Sequence, residues 1–464
     1  MKKYFYIIMM LIISVFSTNV YAEDQAKIND TTYATISEAI NNAQTDDTII
    51  ILSNINGIDI PQGKKITIDL NNNEITKLTN DGELTLKGTG KIYNESSFGL
   101  KNTATGNLTI ENVTFESRSG VSRTFNNSGV ANIKSATFQA SNDVTHPEYI
   151  NNNSTGVITI NDGNYKGYIL FNNEGKFIIN GGTFETTNNL SSNGNLSGGT
   201  LTINDGVFKS EKKEFVYNSR GTVNINGGEF QCKTVATNYD PNYLNNSDKK
   251  KSIINVNDGV FNVTSTAFSN SALSDYSILN INGGTITLSE EDQYVIGEYG
   301  SGNNEIHITG GVINAQNSSG LKLYAPAKFI IGKDDDNVTS DSPIINIKDG
   351  LVFGLGNPTV EFYDGKINLK NKIDISTLIP GGYYIQYDTK SDGSLLAYLK
   401  KSNDDVPNQN TPEKENEVTK TEEKDEKIEN PKTGIESYTY VILLAIVAIV
   451  ASVLMNKKSL FRRI

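Results

Sequence analysis

GVITINDGNY at 156–165, GKFIINGGTF at 175–184, TLTINDGVF at 200–208 and GTVNINGGEF at 221–230 are four versions of one pattern. It continues as IINVNDGVF at 253–261, ILNINGGTI at 278–286 and EIHITGGVI at 305–313. Degenerate copies reach back to LTIENVTF at 108–115 and ANIKSATF at 131–138, and forward to INIKDGLV at 345–352 and VEFYDGKI at 360–367. In each copy a few residues alternate apolar and polar, the mark of a short strand with one buried face. Asn-Gly, Asp-Gly or Gly-Gly then supplies a turn, where glycine takes positive φ without steric cost. The next apolar residue, usually aromatic, opens a second short strand. These aromatics fall at Phe115, Phe138, Tyr165, Phe184, Phe208, Phe230 and Phe261, in steps of 23, 27, 19, 24, 22 and 31 residues.

A step in the twenties suits one coil of a parallel β-solenoid, in which each coil leaves its edge to be paired by the next. About a dozen coils stacked ~4.8 Å apart would extend on the order of 55–60 Å. The competing arrangement is a sandwich of antiparallel hairpins, since Asn-Gly is also a hairpin turn. Hairpin arrays alternate two kinds of strand, whereas every unit here repeats in the same sense. From about Asp30 to Lys372 the pattern resembles the right-handed parallel β-helix proteins of the pectate-lyase-like superfamily. The expected fold is therefore all-β: a right-handed parallel β-helix of residues 23–372, with caps at both ends.

At the front, apolar residues of YATISEAINNA (33–43) recur at helical spacing, with Ser37 or Thr35 as N-cap, before the apolar strand Ile49 to Leu52. This resembles the capping helix and first strand of many secreted β-helices. At the back, GYYIQY (382–387) and SLLAYL (394–399) flank Lys390-Ser-Asp-Gly393, which predicts a β-hairpin lid over the last coil within residues 373–401.

The chain has 464 residues, 40 Gly, 10 Pro, no Trp and 37% hydrophobic residues, enough to bury a core. One cysteine, Cys232, excludes an internal disulfide framework. A formal net charge of -12 argues against nucleic acid or an anionic membrane as partner. From Asp404 to Glu429 there are ten acidic and four basic residues and no aromatic ring. Residues 402–429 therefore read as a solvated acidic linker.

The ends carry addresses. Lys2 and Lys3 precede an apolar run from Tyr4 to Phe16, and Val20-Tyr21-Ala22 ends in a small residue, so residues 1–22 read as a secretory signal peptide cut after Ala22. Asn430-Pro431-Lys432-Thr433-Gly434 is followed by the uncharged run Tyr438 to Met455, long enough to cross a bilayer as a helix, and then by Lys457, Lys458, Arg462 and Arg463. Together residues 430–464 resemble the cell-wall sorting signal of Gram-positive surface proteins, where a sortase cuts inside Leu-Pro-x-Thr-Gly. The resemblance covers Pro431, Thr433 and Gly434, with Asn430 where the family has Leu. It implies attack by a sortase cysteine on the Thr433 carbonyl and transfer of the chain to a peptidoglycan amine. Contact with the membrane would be limited to the C-terminal helix before sorting.

Catalysis is not indicated. Asp162, Asp205, Asp258, Asp349 and Asp364 each precede a turn glycine and suit backbone satisfaction there. Lyases of the resembling superfamily use an Asp-bound calcium with an Arg or Lys base, and Arg118, Arg123 and Arg220 show no evident acidic partners. The two histidines, His146 and His307, make a His-based centre improbable. Asp334, Asp335 and Asp336 could hold Ca²⁺ through several oxygens but lack the spacing of a dedicated loop; no other cofactor is implied. Cys232 suits a small buried residue. Binding fits better. Lys233 to Ser252 and Ala315 to Ile344 read as insertions between coils, and Tyr239, Asp240 and Tyr243, with Tyr294 and Tyr299, could stack on sugars or anchor a protein. The expected function is a non-enzymatic, peptidoglycan-anchored surface protein binding a host protein, matrix or glycan. A wall-attached polysaccharide lyase or hydrolase, and a passive spacer, are the alternatives.

Overall fold

The computed structural model describes residues 23–402, save 95–97, 119–122, 142–147, 194–197, 240–250, 271–276, 292, 299–303, 317–319, 324–326, 336, 348–350, 354–357, 371 and 373–376. The chain divides into two compact units, Met1–Pro407 and Asn408–Ile464. The second lies outside the described residues, and with it the expected Tyr438–Met455 span. Among the described residues no helix is long and apolar enough to cross a membrane.

The alternation read from the repeats becomes a parallel β-solenoid with three faces. In one coil, Val157–Ile160 forms the first face, and Asn164–Asn173 bends from the second face onto the third. Each strand pairs in parallel with its counterparts one coil before and after: Val157–Ile160 lies between Val130–Ala140 and Lys176–Ile179, and Asn164–Asn173 runs alongside Thr183–Asn193. The third face stacks thirteen parallel strands among the described residues, from Ile58–Ile60 to Leu351–Phe353. Period-two burial puts Ile158, Ile160, Phe177, Ile179, Leu201 and Ile203 fully inside. The recurrent aromatics meet there. Phe115, Phe138, Tyr165, Phe184, Phe208, Phe230 and Phe261 form one continuous stack, with centroids 4.5–5.1 Å apart. That spacing is the strand spacing, so each ring fills its own level.

Two rows of asparagine run along the stack. Inside, Asn80, Asn102, Asn127, Asn152 and Asn173 are fully or almost fully buried where the third face turns into the next coil. Each donates Nδ2–H to the Oδ1 of the next at 2.8 Å. The same row reappears as Asn218, Asn238 and Asn270. Outside, at the turn after the first face, Asn161, Asn180, Asn204, Asn226, Asn257 and Asn282 are exposed. Each donates in the opposite sense, to the residue one coil earlier, at 2.7–2.9 Å.

The turns carrying the outer row alternate strictly: Asn-Asp-Gly at 161, 204 and 257, Asn-Gly-Gly at 180, 226 and 282. The backbone alternates with them. The third residue has φ of 131–136° in the Asp turns (Gly163, Gly206, Gly259) and 85–105° in the others (Gly182, Gly228, Gly284). Asp162, Asp205 and Asp258 each accept the N–H of the following glycine at 2.7–2.8 Å, and Asp364 does the same for Gly365, as expected of turn carboxylates. Between them a side chain does not fit: a Cβ on Gly181, Gly227 or Gly283 would lie 2.2–2.8 Å from the carbonyl oxygen of the preceding coil's asparagine. The alternation also doubles the spacing between carboxylates. At ~4.8 Å two of them would repel by on the order of 1 kcal/mol even in water.

The caps follow the sequence with two adjustments. Helix α1 (Ile36–Asn42) takes Thr35, not Ser37, as N-cap, in a capping box with Glu38, and buries Ile36, Ala39 and Ile40. It is joined by a hairpin not foreseen, Ala26–Ile28 with Thr31–Tyr33, which adds antiparallel to Thr48–Ile51. At the other end Tyr383–Thr389 and Leu395–Lys401 form the expected hairpin. It is not simply a lid, because Leu395–Lys401 pairs antiparallel with Lys366–Leu369 and so extends the second face.

Candidate functional site

Of the residues singled out in the sequence, Ala22, Asn430, Pro431, Lys432, Thr433, Gly434, Asp240, Tyr243, Tyr299 and Asp336 lie outside the described residues. Tyr239, Tyr294, Asp334 and Asp335 can be placed.

Tyr239 directly follows the strand Glu229–Asn238, its N–H donating to the Asn218 carbonyl at 2.8 Å. Its ring stands edge-on to Tyr217 at 5.9 Å and is 41% exposed. The expected insertion from Lys233 is corrected here, because Thr234, Val235, Ala236, Thr237 and Asn238 are buried third-face strand. The second expected insertion, Ala315 to Ile344, likewise contains strands Gly320–Leu323 and Lys328–Ile331, a full coil without the glycine signature.

Tyr294 lies on the same face, where the Lys322 ammonium sits 5.0 Å above its ring. The register Ala236–Phe268–Ile296 sets Tyr294 level with Thr234, two coils away, so Tyr239 is roughly 16 Å further along the strand direction. The two tyrosines share a face but not a pocket. Between them runs one column in strict register: Asn126, Asn151, Asn172, Ser192, Tyr217, Thr237, Ser269, Gly297 and Lys322. Asn151 and Asn172 donate back along it at 3.0 and 3.1 Å, and the Thr237 and Ser269 hydroxyls lie 2.9 Å apart. Burial, reinforced by a hydrogen bond to Glu214, pushes the Tyr217 phenol up to about 12, so it stays protonated. The column and its flanks thus present part-exposed amides and tyrosine rings at the strand spacing, while the Thr237 and Ser269 hydroxyls are buried against each other; such amides and rings suit hydroxyl-rich or peptide ligands.

The acidic groups are occupied otherwise. Asp334 and Asp335 are exposed, and Asp335 accepts the Asn337 N–H at 3.0 Å. Among the described residues no three His, Cys, Asp or Glu side chains converge as metal ligands. His307 faces outward between buried Ile306 and Ile308, with Nε2 3.0 Å from Glu305. Cys232 is buried, and burial pushes its thiol up to about 12.

One cluster escaped sequence reasoning. Arg118, expected to lack acidic partners, stacks 3.6 Å over Tyr93 and pairs with Glu116 and, at 3.2 Å, with Glu74; Lys91 holds Glu116 at 3.0 Å. Burial pushes the Glu116 carboxyl up, but hydrogen bonds from Arg118 and Lys91 outweigh it and hold the group below its ordinary value. The partners are 25 and 44 residues apart in sequence, and only coil stacking brings them together. Lys328 and Glu361 form a similar rung at 2.9 Å. Such paired charges clamp neighbouring coils. Compared with protein-family models, with curated proteins and with solved structures, the chain matches none.

Proposed function

We propose that this is a non-enzymatic surface protein, exported by its first 22 residues and joined by a sortase through Thr433 to peptidoglycan. The run Tyr438–Met455 would hold the precursor in the membrane as a helix, and residues 402–429 would tether the solenoid away from the wall. We take the coils as right-handed, the sense that parallel crossover connections favour. The observation that carries the reading is the order pentapeptide, uncharged run, basic tail behind an acidic linker. The third-face column supports a binding role toward a host protein, matrix or glycan. The pairing of Asp162, Asp205, Asp258 and Asp364 with turn amides favours binding over catalysis.

Thr433→Ala is expected to leave the chain in the membrane fraction, with none released by muramidase in wall-linked form. Wall-linked release of the variant would refute the anchoring. Screening the muramidase-released protein on glycan and matrix arrays tests the binding role, and Tyr239→Ala should weaken any ligand found on the third face.

A further inference from the structure

The outer asparagine row sets three of its amides directly before glycine, at Asn180, Asn226 and Asn282. Two separate demands of the fold meet in that pair. The row needs a carboxamide, which donates one coil back and accepts from one coil ahead. The next position admits no side chain, because a Cβ on Gly181, Gly227 or Gly283 would strike the carbonyl oxygen of the asparagine one coil earlier. The enforced Asn-Gly pair is chemically fragile, since a backbone nitrogen with no side chain beside it can reach the carboxamide carbon. We infer that Asn180, Asn226 and Asn282 are modification sites, at which the folded chain itself converts amide to carboxylate.

The step is a ring closure. The nitrogen of Gly181, Gly227 or Gly283 gives up its proton and attacks Cγ of the asparagine before it; the Cγ–Nδ2 bond breaks, and the amide nitrogen leaves as ammonia. Water then opens the cyclic imide at one of its two carbonyl carbons. Opening at Cγ gives aspartate, and opening at the backbone carbonyl gives isoaspartate, whose main chain runs through Cβ. Three features favour the reaction. All three asparagines are exposed, so water and base reach them. Among the described residues the three glycine N–H groups donate to no acceptor, so no hydrogen bond holds their protons. The charge that develops on Oδ1 has a donor already in place: Asn204 at 2.7 Å for Asn180, Asn257 at 2.8 Å for Asn226, and the Thr309 hydroxyl at 2.8 Å for Asn282.

The other members of the row supply the contrast. Asn161, Asn204 and Asn257 make the same row bonds, but an aspartate follows each, so a side chain and a negative charge stand beside the attacking nitrogen. Asn56, exposed before Gly57 and accepting from the Thr76 hydroxyl at 2.6 Å, meets the same conditions outside the row and should react as well. Within the row, conversion changes the edge of the solenoid. Carboxylates occupy alternate levels there, at Asp162, Asp205 and Asp258, and each event fills one of the gaps. The row loses a donor at that level, and the new carboxylate faces the Oδ1 it formerly served. A mixed amide edge thus becomes an acidic one as the protein ages, whichever way the chain is anchored.

The test is peptide mapping by mass spectrometry of the folded full chain, incubated at mildly alkaline pH in water labelled with heavy oxygen. Asn180, Asn226 and Asn282, located by fragmentation, should gain the mass of an amide-to-acid exchange at least about tenfold faster than Asn161, Asn204 and Asn257. Each event should incorporate labelled oxygen, yield isoaspartate beside aspartate, and quicken as pH rises. Asn226→Gln, in an exposed turn, should silence that position alone, because the longer side chain closes the ring far more slowly. Equal rates in the two groups of asparagines would overturn the inference. Aspartate without isoaspartate, the mark of direct side-chain hydrolysis, or undiminished conversion in Asn226→Gln, would do the same.

Discussion

Asn152→Ala and Asn161→Ala remove the same carboxamide from hydrogen-bonded rows of the same spacing, yet they should differ widely in cost. Asn152 is fully buried. It accepts from Asn127 at 2.8 Å and donates to Asn173 at 2.8 Å, and its Nδ2 also lies 3.1 Å from the Gly156 and Lys176 carbonyls. Truncation breaks both side-chain bonds, but their partners are not orphaned. Asn127 keeps the Gly129 carbonyl at 3.0 Å, and Asn173 Oδ1 keeps the Gly175 N–H at 3.2 Å, while Gly156 O keeps the Lys176 N–H at 2.9 Å. The expected loss is two buried hydrogen bonds at ~1 kcal/mol each plus a small cavity, about 2–4 kcal/mol in all. Asn161 makes equally short bonds, 2.7 Å to Asn132 and 2.9 Å from Asn180, but is exposed, and water replaces them. Its loss should cost under about 0.5 kcal/mol. Urea unfolding of the full chain and both variants, followed by far-UV circular dichroism, measures the difference. Equal midpoints for the two variants would refute the argument that burial, rather than row geometry, sets the value of the asparagines.

Gly283→Ala should destabilise by about 2–3 kcal/mol in the same assay, because its Cβ would lie 2.2 Å from the Asn257 carbonyl oxygen and backbone must yield. Since the Glu116 carboxyl is held in the fold below the ordinary glutamate value of 4.5, its share of stability is present above that pH and lost as pH falls through the lower folded value. Glu116→Gln should therefore flatten the acid limb of a stability–pH curve measured below about pH 4.5, and an unchanged limb would contradict the pairing. Cys232, with its thiol pushed up to about 12, should resist iodoacetamide at about pH 8 in the native protein and react on unfolding; rapid native labelling would show that the site is open.

The solenoid was legible because its two repeated strands and the glycine turn between them fall within ten residues, and each uses residues with a single local meaning. Ile158, Ile160 and Tyr165 could be assigned to the buried side of their two strands from spacing alone. The third face was not legible in this way. Strands such as Glu148–Asn152 and Phe268–Asn270 end in asparagine, and asparagine before glycine reads as turn. The signal was present as Asn102, Asn127, Asn152 and Asn173, each a few residues ahead of the glycine that opens the next coil. Its meaning depends on an identical neighbour one coil away, which local propensity does not carry. The same holds for Arg118, whose partner Glu74 is brought to it by stacking, 44 residues away in sequence. The tyrosines of the candidate surface could be picked out by type, but their separation along the third face is set by register and was invisible beforehand.

The alternation of Asn-Asp-Gly and Asn-Gly-Gly turns carries a rule about how such a domain can change length. Excising one Gly-Gly coil would bring two aspartates into neighbouring levels, so close that each loses part of its hydration to the other's charge. Excising an adjacent pair restores the original neighbours at the junction. Inserting a lone Asp-bearing coil has the same cost, whereas inserting a lone Gly-Gly coil or removing a lone Asp coil brings no two aspartates together. A pair of coils is therefore the module that keeps the carboxylate spacing wherever it is copied or lost, and a single coil does so only when it sets no two Asp turns side by side.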